Sequence, residues 1–228
     1  IQGPKPRFPA HLPKTFRFNE VVGVDLFEIT LDDGTIITLL NMICWGTTFQ
    51  LCVQLKGKSS DEVVQAFADT WVRYFGPPLT VVSDQGAEFV SNAFSSFCDR
   101  NSILHHVTDV RAPWQNGRTE RHGSIWKSLF LKAIYLRPIE DKKYIPLFIA
   151  EVNAQKNRLS NRSGYSPLQR VYGTTHRLPA DLTSDDQYAP DIVYDAAATD
   201  ASFEVARQIR QAAMQAHAIV SAVSYTHL

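Results

Sequence analysis

The sequence is poor in the residues that mark secreted and membrane proteins. It has three cysteines, Cys44, Cys52 and Cys98, an odd number without a CxxC pair, so neither a disulfide framework nor a zinc site is supported. It has no apolar run near the roughly 20 residues of a membrane helix, and no apolar signal segment at its start. We therefore expect an intracellular protein that is not secreted and does not enter a membrane. The lack of an initiating methionine predicts a fragment of a longer protein.

A net charge of either sign is also lacking, but the charges are unevenly distributed. The 23 basic residues balance the 23 acidic ones. Between Arg100 and Lys132 there are six Lys or Arg residues and two acidic ones, whereas 181–200 holds six aspartates and no Lys or Arg. Positive charge therefore gathers in the middle of the chain, as expected where a protein contacts nucleic acid.

The first part of the chain predicts three consecutive antiparallel strands. With 228 residues, of which 44% are hydrophobic, the chain is long enough for one domain and a tail. Apolar, β-branched segments cover 21–30, 36–44 and 48–55, and Asp32, Asp33 and Gly34 form a turn signal between the first two.

Helices and further strands alternate after this point. Ser59 begins a capping-box pattern, and an apolar helical spacing continues to Gly76. The pattern then predicts a buried strand at 79–83, a helix from Ser91 or Asn92 to Arg100, a strand at 103–110, and helices at 115–136 and 141–159. We therefore expect an α/β fold with a five-stranded mixed sheet flanked by helices.

The C-terminal part has a different character. An acidic linker is expected at 175–201, followed by an amphipathic helix at 202–223 with Phe203, Ala206, Ile209, Ala213, Ala216 and Val220 on one side. This helix could pack on the core or bind a partner. The last residues, 224–228, have no assigned role.

Three acids are candidates for a metal site. Asp25 lies within an apolar strand, where a carboxylate is costly to bury unless it is paired, hydrogen-bonded or metal-bound. Asp84 lies where a strand ends, and Glu120 lies early in a helix. On that helix Glu120, Ser124 and Lys127 share one face, opposite an apolar stripe formed by Ile125, Leu129, Ala133 and Leu136. Carboxylate oxygens suit hard divalent cations, and two such ions can support phosphodiester exchange.

The motifs around these acids resemble those of the catalytic core of retroviral and LTR-retrotransposon integrases. They are Asp25 in the first strand, Ser-Asp-Gln-Gly-Ala-Glu-Phe at 83–89, and Pro-Trp-Gln-Asn-Gly-Arg-Thr-Glu-Arg at 113–121. Asn153 and the Gly-Tyr-Ser-Pro segment at 164–167 extend the resemblance, which covers about 18–174. Three acids in this order and context are seldom found by chance.

The resemblance implies a ribonuclease H-like fold and an enzyme of the polynucleotidyl transferase class. Asp25, Asp84 and Glu120 would be catalytic and would bind two Mg²⁺ or Mn²⁺ ions. The reactions implied are trimming of the 3′ ends of a linear element DNA and joining of those ends to a target duplex. The resemblance also implies a homo-oligomer, either a dimer of cores or larger, acting in the nucleus or in an intracellular nucleoprotein particle.

Candidate DNA contacts come partly from the resemblance and partly from the residues around Glu120. These are Trp114, Asn116, Gly117, Arg118, Arg121 and Lys127. Ser124 stands where retroviral relatives commonly have a lysine, and Arg118 and Arg121 are candidates to replace it. The zinc-binding module that precedes the core in this family has no ligand set here, so 1–17 would be the linker that follows it.

Plainer interpretations stay open for individual residues and for the whole chain. Asp84 can be a turn residue, Lys127 a solvated helix residue and Trp114 a loop anchor. Glu88 is expected near the site but outside the ligand set, and His105, His106 and His122 are treated as ordinary polar residues. The chain could also be a decayed or domesticated copy kept for DNA binding or assembly, or a ribonuclease H.

Overall fold

The computed structural model describes residues 16–108, 116–158, 164–174 and 201–226. Five strands in these ranges form one mixed sheet of order β3-β2-β1-β4-β5. In chain order the strands are β1 (Val21–Thr30), β2 (Ile36–Cys44), β3 (Gln50–Leu55), β4 (Thr80–Ser83) and β5 (Leu104–Val107). The mixed α/β fold expected from the sequence is therefore confirmed.

The helices of the described residues lie before, between and after the last two strands. They are α1 (Ser60–Phe67), a π-helical segment (Ala68–Val72), α2 (Arg73–Phe75), α3 (Asn92–Arg100), α4 (Gly117–Leu136), a 3₁₀ turn (Lys142–Tyr144), α5 (Ile145–Arg158), α6 (Pro167–Tyr172) and α7 (Ala201–Thr226). None of them is both long and apolar enough to cross a membrane.

The first three strands form the antiparallel half of the sheet. β1 pairs with β2 from Val22 to Thr30, and the turn between them is closed by hydrogen bonds between Leu31 and Thr35 and between Gly34 and Leu31. Gly34 has a φ of 81°, a conformation that glycine adopts without steric cost. β3 pairs antiparallel with β2 and forms one edge of the sheet. It begins at Gln50, two residues later than the apolar pattern predicted.

The other half of the sheet is parallel and buried. β4 lies parallel to β1 and to β5, and Val81, Val82 and Ser83 are buried, as expected for a parallel strand covered on both faces. β4 begins at Thr80 and β5 covers only Leu104–Val107, so both strands are shorter than predicted. Residues 109–110 of the predicted fifth strand lie outside the described ranges.

N-capping at the helix starts agrees only in part with the sequence pattern. The Ser59 side chain accepts a hydrogen bond from the Glu62 amide, as predicted. The Glu62 carboxylate, however, accepts from the Lys56 amide rather than from that of Ser59, so the capping box is not reciprocal. Ser91 caps α3. The segment up to Gly76 contains a π-helical turn, which an apolar spacing does not reveal.

Two hydrophobic clusters hold the sheet between layers of helices. One cluster contains Val22, Phe67, Trp71 and Phe94. The other contains Trp126, Phe130, Phe148 and Ile209. Because Ile209 belongs to α7, the C-terminal helix packs on the core instead of standing free. It extends beyond the predicted range of 202–223, and the predicted linkers at 1–17 and 175–201 lie almost entirely outside the described residues.

Candidate metal centre

Sheet register brings two of the three acids side by side. β1 and β4 run parallel, with Gly23 opposite Val82. Asp25 lies two residues beyond Gly23, and Asp84 lies two residues beyond Val82 and directly after β4. Neighbouring strands are about 4.8 Å apart. The order of the strands therefore brings together two carboxylates that are far apart in sequence.

The third acid comes from a helix that lies against the same strands. Glu120 is the fourth residue of α4, and α4 packs against both β1 and β2. The pKa of Asp25 is raised from 3.8 to about 6, first by burial and then by the negative charges of Asp84 and Glu120. The carboxylate of Asp25 therefore lies within electrostatic reach of the other two.

The three acids lie near one another, but their side chains are not arranged as a set of metal ligands. Among the described residues, no three His, Cys, Asp or Glu side chains are already arranged to hold a metal ion. Their donor chemistry nevertheless fits a hard divalent cation, which binds carboxylate oxygens. After burial, the charges of Asp84 and Glu120 are the next causes of the raised pKa of Asp25, and a cation would relieve this repulsion.

A fourth carboxylate lies beside Asp84. A Cβ built on Gly86 would lie 2.7 Å from Glu88 Oε1 and 3.1 Å from Asp84 Oδ1, so both side chains flank this glycine. The Gly86 amide donates to Asp84 Oδ1 at 3.0 Å. The charge of Glu88 also contributes to the raised pKa of Asp25, after Asp84 and Glu120. The expectation that Glu88 lies near the site is consistent with this geometry.

Ser83 and His105 support the end of the strand that leads into Asp84. Ser83 is fully buried, and its Oγ lies 2.9 Å from His105 Nε2. Burial, and then the neighbouring His106, lower the pKa of His105, which favours the neutral ring. The sequence around His105 does not indicate this contact, because Ser83 lies on a neighbouring strand. From the sequence alone His105 is an ordinary polar residue.

The polar face of α4 is present, but the buried face differs from the predicted stripe. Glu120 and Ser124 are exposed, and Lys127 Nζ donates to the Glu28 carbonyl at 2.9 Å. The buried residues are Thr119, Gly123, Trp126, Leu129, Phe130 and Ala133. Leu136 is 37% exposed, so its assignment to the buried stripe was wrong. The hydropathy pattern missed Thr119 and Gly123 because neither is a large apolar residue.

The predicted DNA contacts have different surroundings. Arg121 is exposed, whereas Arg118 donates to the Trp45 carbonyl. Asn116, which precedes α4, is buried, and its amide atoms have no hydrogen-bond partner among the described residues. A Cβ on Gly117 would meet nothing within 4 Å. Trp114 lies outside the described residues.

His122 faces the interior, away from the exposed side of α4. Burial lowers its pKa to about 3, and the charges of Lys156, Arg121 and Arg118 act in the same direction. Its carbonyl accepts a hydrogen bond from the Gln50 side chain at 3.1 Å. His122 is therefore a half-buried residue whose lowered pKa favours the neutral ring.

Sequence comparison relates this architecture to a known family. Residues 17–113 match the integrase core domain family. The Pro-Pol polyprotein of simian foamy virus type 1 is 29% identical over 102 residues, which are 45% of this chain and 9% of that protein. The retrovirus-related Pol polyprotein from transposon 412 of Drosophila melanogaster is 21% identical over 140 residues, 61% of this chain and 11% of that protein. The chain thus spans about a tenth of the length of these relatives.

Solved structures share the fold. A chain of the simian T-cell lymphotropic virus intasome in complex with PP2A regulatory subunit B56 gamma superposes with a TM-score of 0.64 at 19% identity, covering 74% of this chain and 59% of that one. The HTLV-2 integrase catalytic core domain in complex with magnesium, in its trimeric form, gives 0.58 at 22% identity, covering 68% and 98%. The chain therefore matches the integrase core domain family over residues 17–113 and shares the fold of solved integrase catalytic cores.

Proposed function

We propose that this core is a metal-dependent polynucleotidyl transferase that trims the 3′ ends of a linear element DNA and joins them to a target duplex. The observation that carries the proposal is that the three acids belong to elements that pack together, since β4 lies beside β1 and α4 packs on β1. Asp25 lies within β1, and its pKa is raised by the charges of Asp84 and Glu120. The family match ends at residue 113, so the role of Glu120 depends on this coupling and on its motif.

Asp25, Asp84 and Glu120 would hold two Mg²⁺ or Mn²⁺ ions. Such ions activate an oxygen nucleophile and stabilise the leaving oxygen of an in-line displacement. The proposal is supported by the oxygen-only donor set of the three acids and by the HTLV-2 core domain, a relative of the same fold that was solved in complex with magnesium.

The chain's own residues would position these acids and the DNA. Asp25 lies on β1, Asp84 directly follows the neighbouring parallel strand β4, and Glu120 lies in the first turn of α4, which packs on β1. Arg121 and Lys127 lie close to Glu120 along the same helix, and phosphate oxygens are commonly contacted by clustered Lys and Arg side chains. We propose Trp114, Asn116, Gly117 and Arg118 as further parts of the DNA-binding region.

Assembly and location follow from the same proposal. We infer that the core works as a homo-oligomer, since HTLV-2 integrase core domains are described in dimeric and trimeric forms. Substrates made of element DNA and target duplex would place it in the nucleus or in an intracellular nucleoprotein particle. Light scattering of the purified protein, with and without matched DNA ends, tests the first of these inferences.

The catalytic assignment is tested by replacing each acid with its amide. We expect Asp25→Asn, Asp84→Asn and Glu120→Gln each to lower strand transfer by at least about 10³-fold, because each removes a charged metal ligand and its role in the transition state. The measurement is joining of matched DNA ends to a target duplex in Mg²⁺ or Mn²⁺. A Mn²⁺-binding titration provides a second readout that does not depend on turnover.

Asp99→Asn is the matched control, because Asp99 is an exposed carboxylate on α3. It should bind Mn²⁺ and react like the parent protein. Strand transfer that survives Glu120→Gln would defeat the assignment. Tight DNA binding that neither metal nor Asp84→Asn alters would instead support a non-catalytic module, and selective cleavage of RNA–DNA hybrids would support a ribonuclease H.

A further inference from the structure

The first turn of α4, which carries Glu120, has little support from its own cap. Asn116 stands at the N-cap, but its side chain makes no capping hydrogen bond, and Gly117 has nothing near the position of a Cβ. The amide of Glu120 donates to the Asn116 carbonyl at 3.1 Å. The free N–H groups of a helix start need partners, and uncapped ends fray. Other contacts must therefore hold this turn against the sheet.

Thr119 supplies the main contact between this turn and β1. It is fully buried, and a Cβ built on Gly23 would lie only 2.0 Å from Thr119 Oγ1. Only glycine allows the helix to approach the strand so closely at this point. Gly23 lies two residues before Asp25 on the same strand, so the contact joins the helix of one acid to the strand of another.

Trp45 contacts both Thr119 and β1. Its Nε1 donates to Thr119 Oγ1 at 3.1 Å, and its backbone amide donates to the Val21 carbonyl of β1 at 2.9 Å. Arg118 donates to the Trp45 carbonyl, and its guanidinium carbon lies 5.8 Å from the centre of the Trp45 ring. The indole is thus tied both to β1 and to the first turn of α4.

Asn41, which pairs with Asp25 across the sheet, also contacts α4. Asn41 lies opposite Asp25 in the β1–β2 register, and its Nδ2 is 3.5 Å from the Thr119 carbonyl. Helix and strands are therefore connected around Thr119 through Gly23, Trp45 and Asn41. We call Gly23, Trp45, Arg118 and Thr119 the helix clamp.

We propose that the helix clamp sets the position of Glu120 relative to Asp25, and that Trp45 and Thr119 are positioning residues for divalent-metal binding. The proposal rests on the proposed function, since it concerns the same acids. Arg118, which belongs to the clamp, would act through Trp45 in addition to any contact with DNA.

The test compares variants that remove one hydrogen bond, of which Thr119→Val keeps the side-chain shape and Trp45→Phe also removes part of the indole ring. Thr119→Val removes the hydroxyl, Trp45→Phe removes the indole N–H, and Thr119→Ser retains the hydroxyl. We expect the first two to weaken Mn²⁺ binding about fivefold, the factor for one lost hydrogen bond, and Thr119→Ser to bind like the parent. The double variant should be no weaker than either single one, because both remove the same bond.

A second readout needs no metal. Exchange of the Glu120 amide, followed by NMR in metal-free protein, should be faster in Thr119→Val and Trp45→Phe. Ser128→Ala is the matched control, because Ser128 donates only to the Ser124 carbonyl on the exposed side of the same helix. It should leave both Mn²⁺ binding and Glu120 exchange unchanged.

The two readouts separate failure of the helix clamp from failure of the proposed function. If the parent binds Mn²⁺ and the two clamp variants bind it equally well, the positioning role is overturned. If no protein binds Mn²⁺, including the parent, the proposed function fails, and amide exchange still decides the helix clamp. In that case, an unchanged rate of Glu120 amide exchange in the variants would overturn the helix clamp. A faster rate would support only the contact between α4 and β1.

Discussion

At the scale of single residues, Asp25 is held in an environment that disfavours its charge. Its pKa is raised from 3.8 to about 6, chiefly by burial and then by the charges of Asp84 and Glu120. The folded chain therefore binds the proton more tightly than the unfolded chain. Between about pH 4 and pH 6 the contribution of Asp25 to stability falls as pH rises, and above this range the full cost of the charged form is present.

The raised pKa of Asp25 predicts how Asp25→Asn changes the stability of the metal-free protein. At pH 8, with a chelator present, we expect the variant to be more stable than the parent by on the order of 1–2 kcal/mol. The difference should shrink as the pH falls and should disappear well below pH 3.8, where Asp25 is protonated in both states. Urea unfolding at a series of pH values measures it. A pH-independent difference between the two proteins would contradict the prediction.

The same residues show what a sequence can reveal about a site. Asp25, Asp84 and Glu120 are recognisable because each lies in a short motif and each marks a strand or a helix start. The pairing of Trp45 with Thr119 is not recognisable, since it joins residues 74 positions apart through a close approach at Gly23. Such a contact depends on how two elements pack, and neither residue carries a local signal for it.

At the scale of elements, two asparagines of α5 complete the hydrogen bonding of the edge strand β3. Asn157 accepts from the Gln50 amide at 2.9 Å and donates to the Gln50 carbonyl at 2.7 Å. Asn153 does the same for Cys52, at 3.0 and 2.8 Å, and also accepts from Trp126 Nε1 at 2.8 Å. Side-chain amides thus take the place of a sixth strand, and the edge is not free for pairing.

We expect Asn157→Ala to destabilise the protein by about 2–3 kcal/mol, because it leaves a buried amide and a buried carbonyl of Gln50 without partners. Asn101→Ala is the control, since Asn101 makes one side-chain bond, to the Phe97 carbonyl at the end of α3, and should cost less. Urea unfolding gives both values. A cost below about 1 kcal/mol for Asn157→Ala would show that β3 does not depend on this contact.

Element boundaries could be predicted where the local signal is strong. β1 and β2 lie at the predicted positions, because a long apolar pattern and a Gly turn specify them. The docking of α5 on β3 could not be predicted in this way. Asn153 belongs to the motifs that carry the family resemblance, but its hydrogen bonds to Cys52 span 101 residues and follow only from the packed structure.

At the scale of the whole molecule, α7 closes one side of the core. Ile209, Ala213 and Ala216 are fully or almost fully buried in the cluster formed by α4 and α5. Of the two roles left open for this helix, packing on the core is therefore confirmed. The amphipathic pattern predicted the buried side, but it could not specify which surface would cover it, since that depends on the apolar faces left exposed by α4 and α5.

A partly buried ion pair between Arg210 and Glu151 connects α7 to α5, and it can be tested by mutation. Arg210 Nε and Nη2 both lie 2.9 Å from Glu151 Oε1, and Glu151 is 7% exposed. Arg210→Met should destabilise the protein by about 2–3 kcal/mol, because it leaves the Glu151 carboxylate buried without its cation. Arg210→Met combined with Glu151→Leu should recover most of this loss, since no unpaired charge remains. Urea unfolding of the parent, both single variants and the double variant measures the coupling. If the double variant shows the summed loss of the singles, the ion pair does not hold α7 on the core.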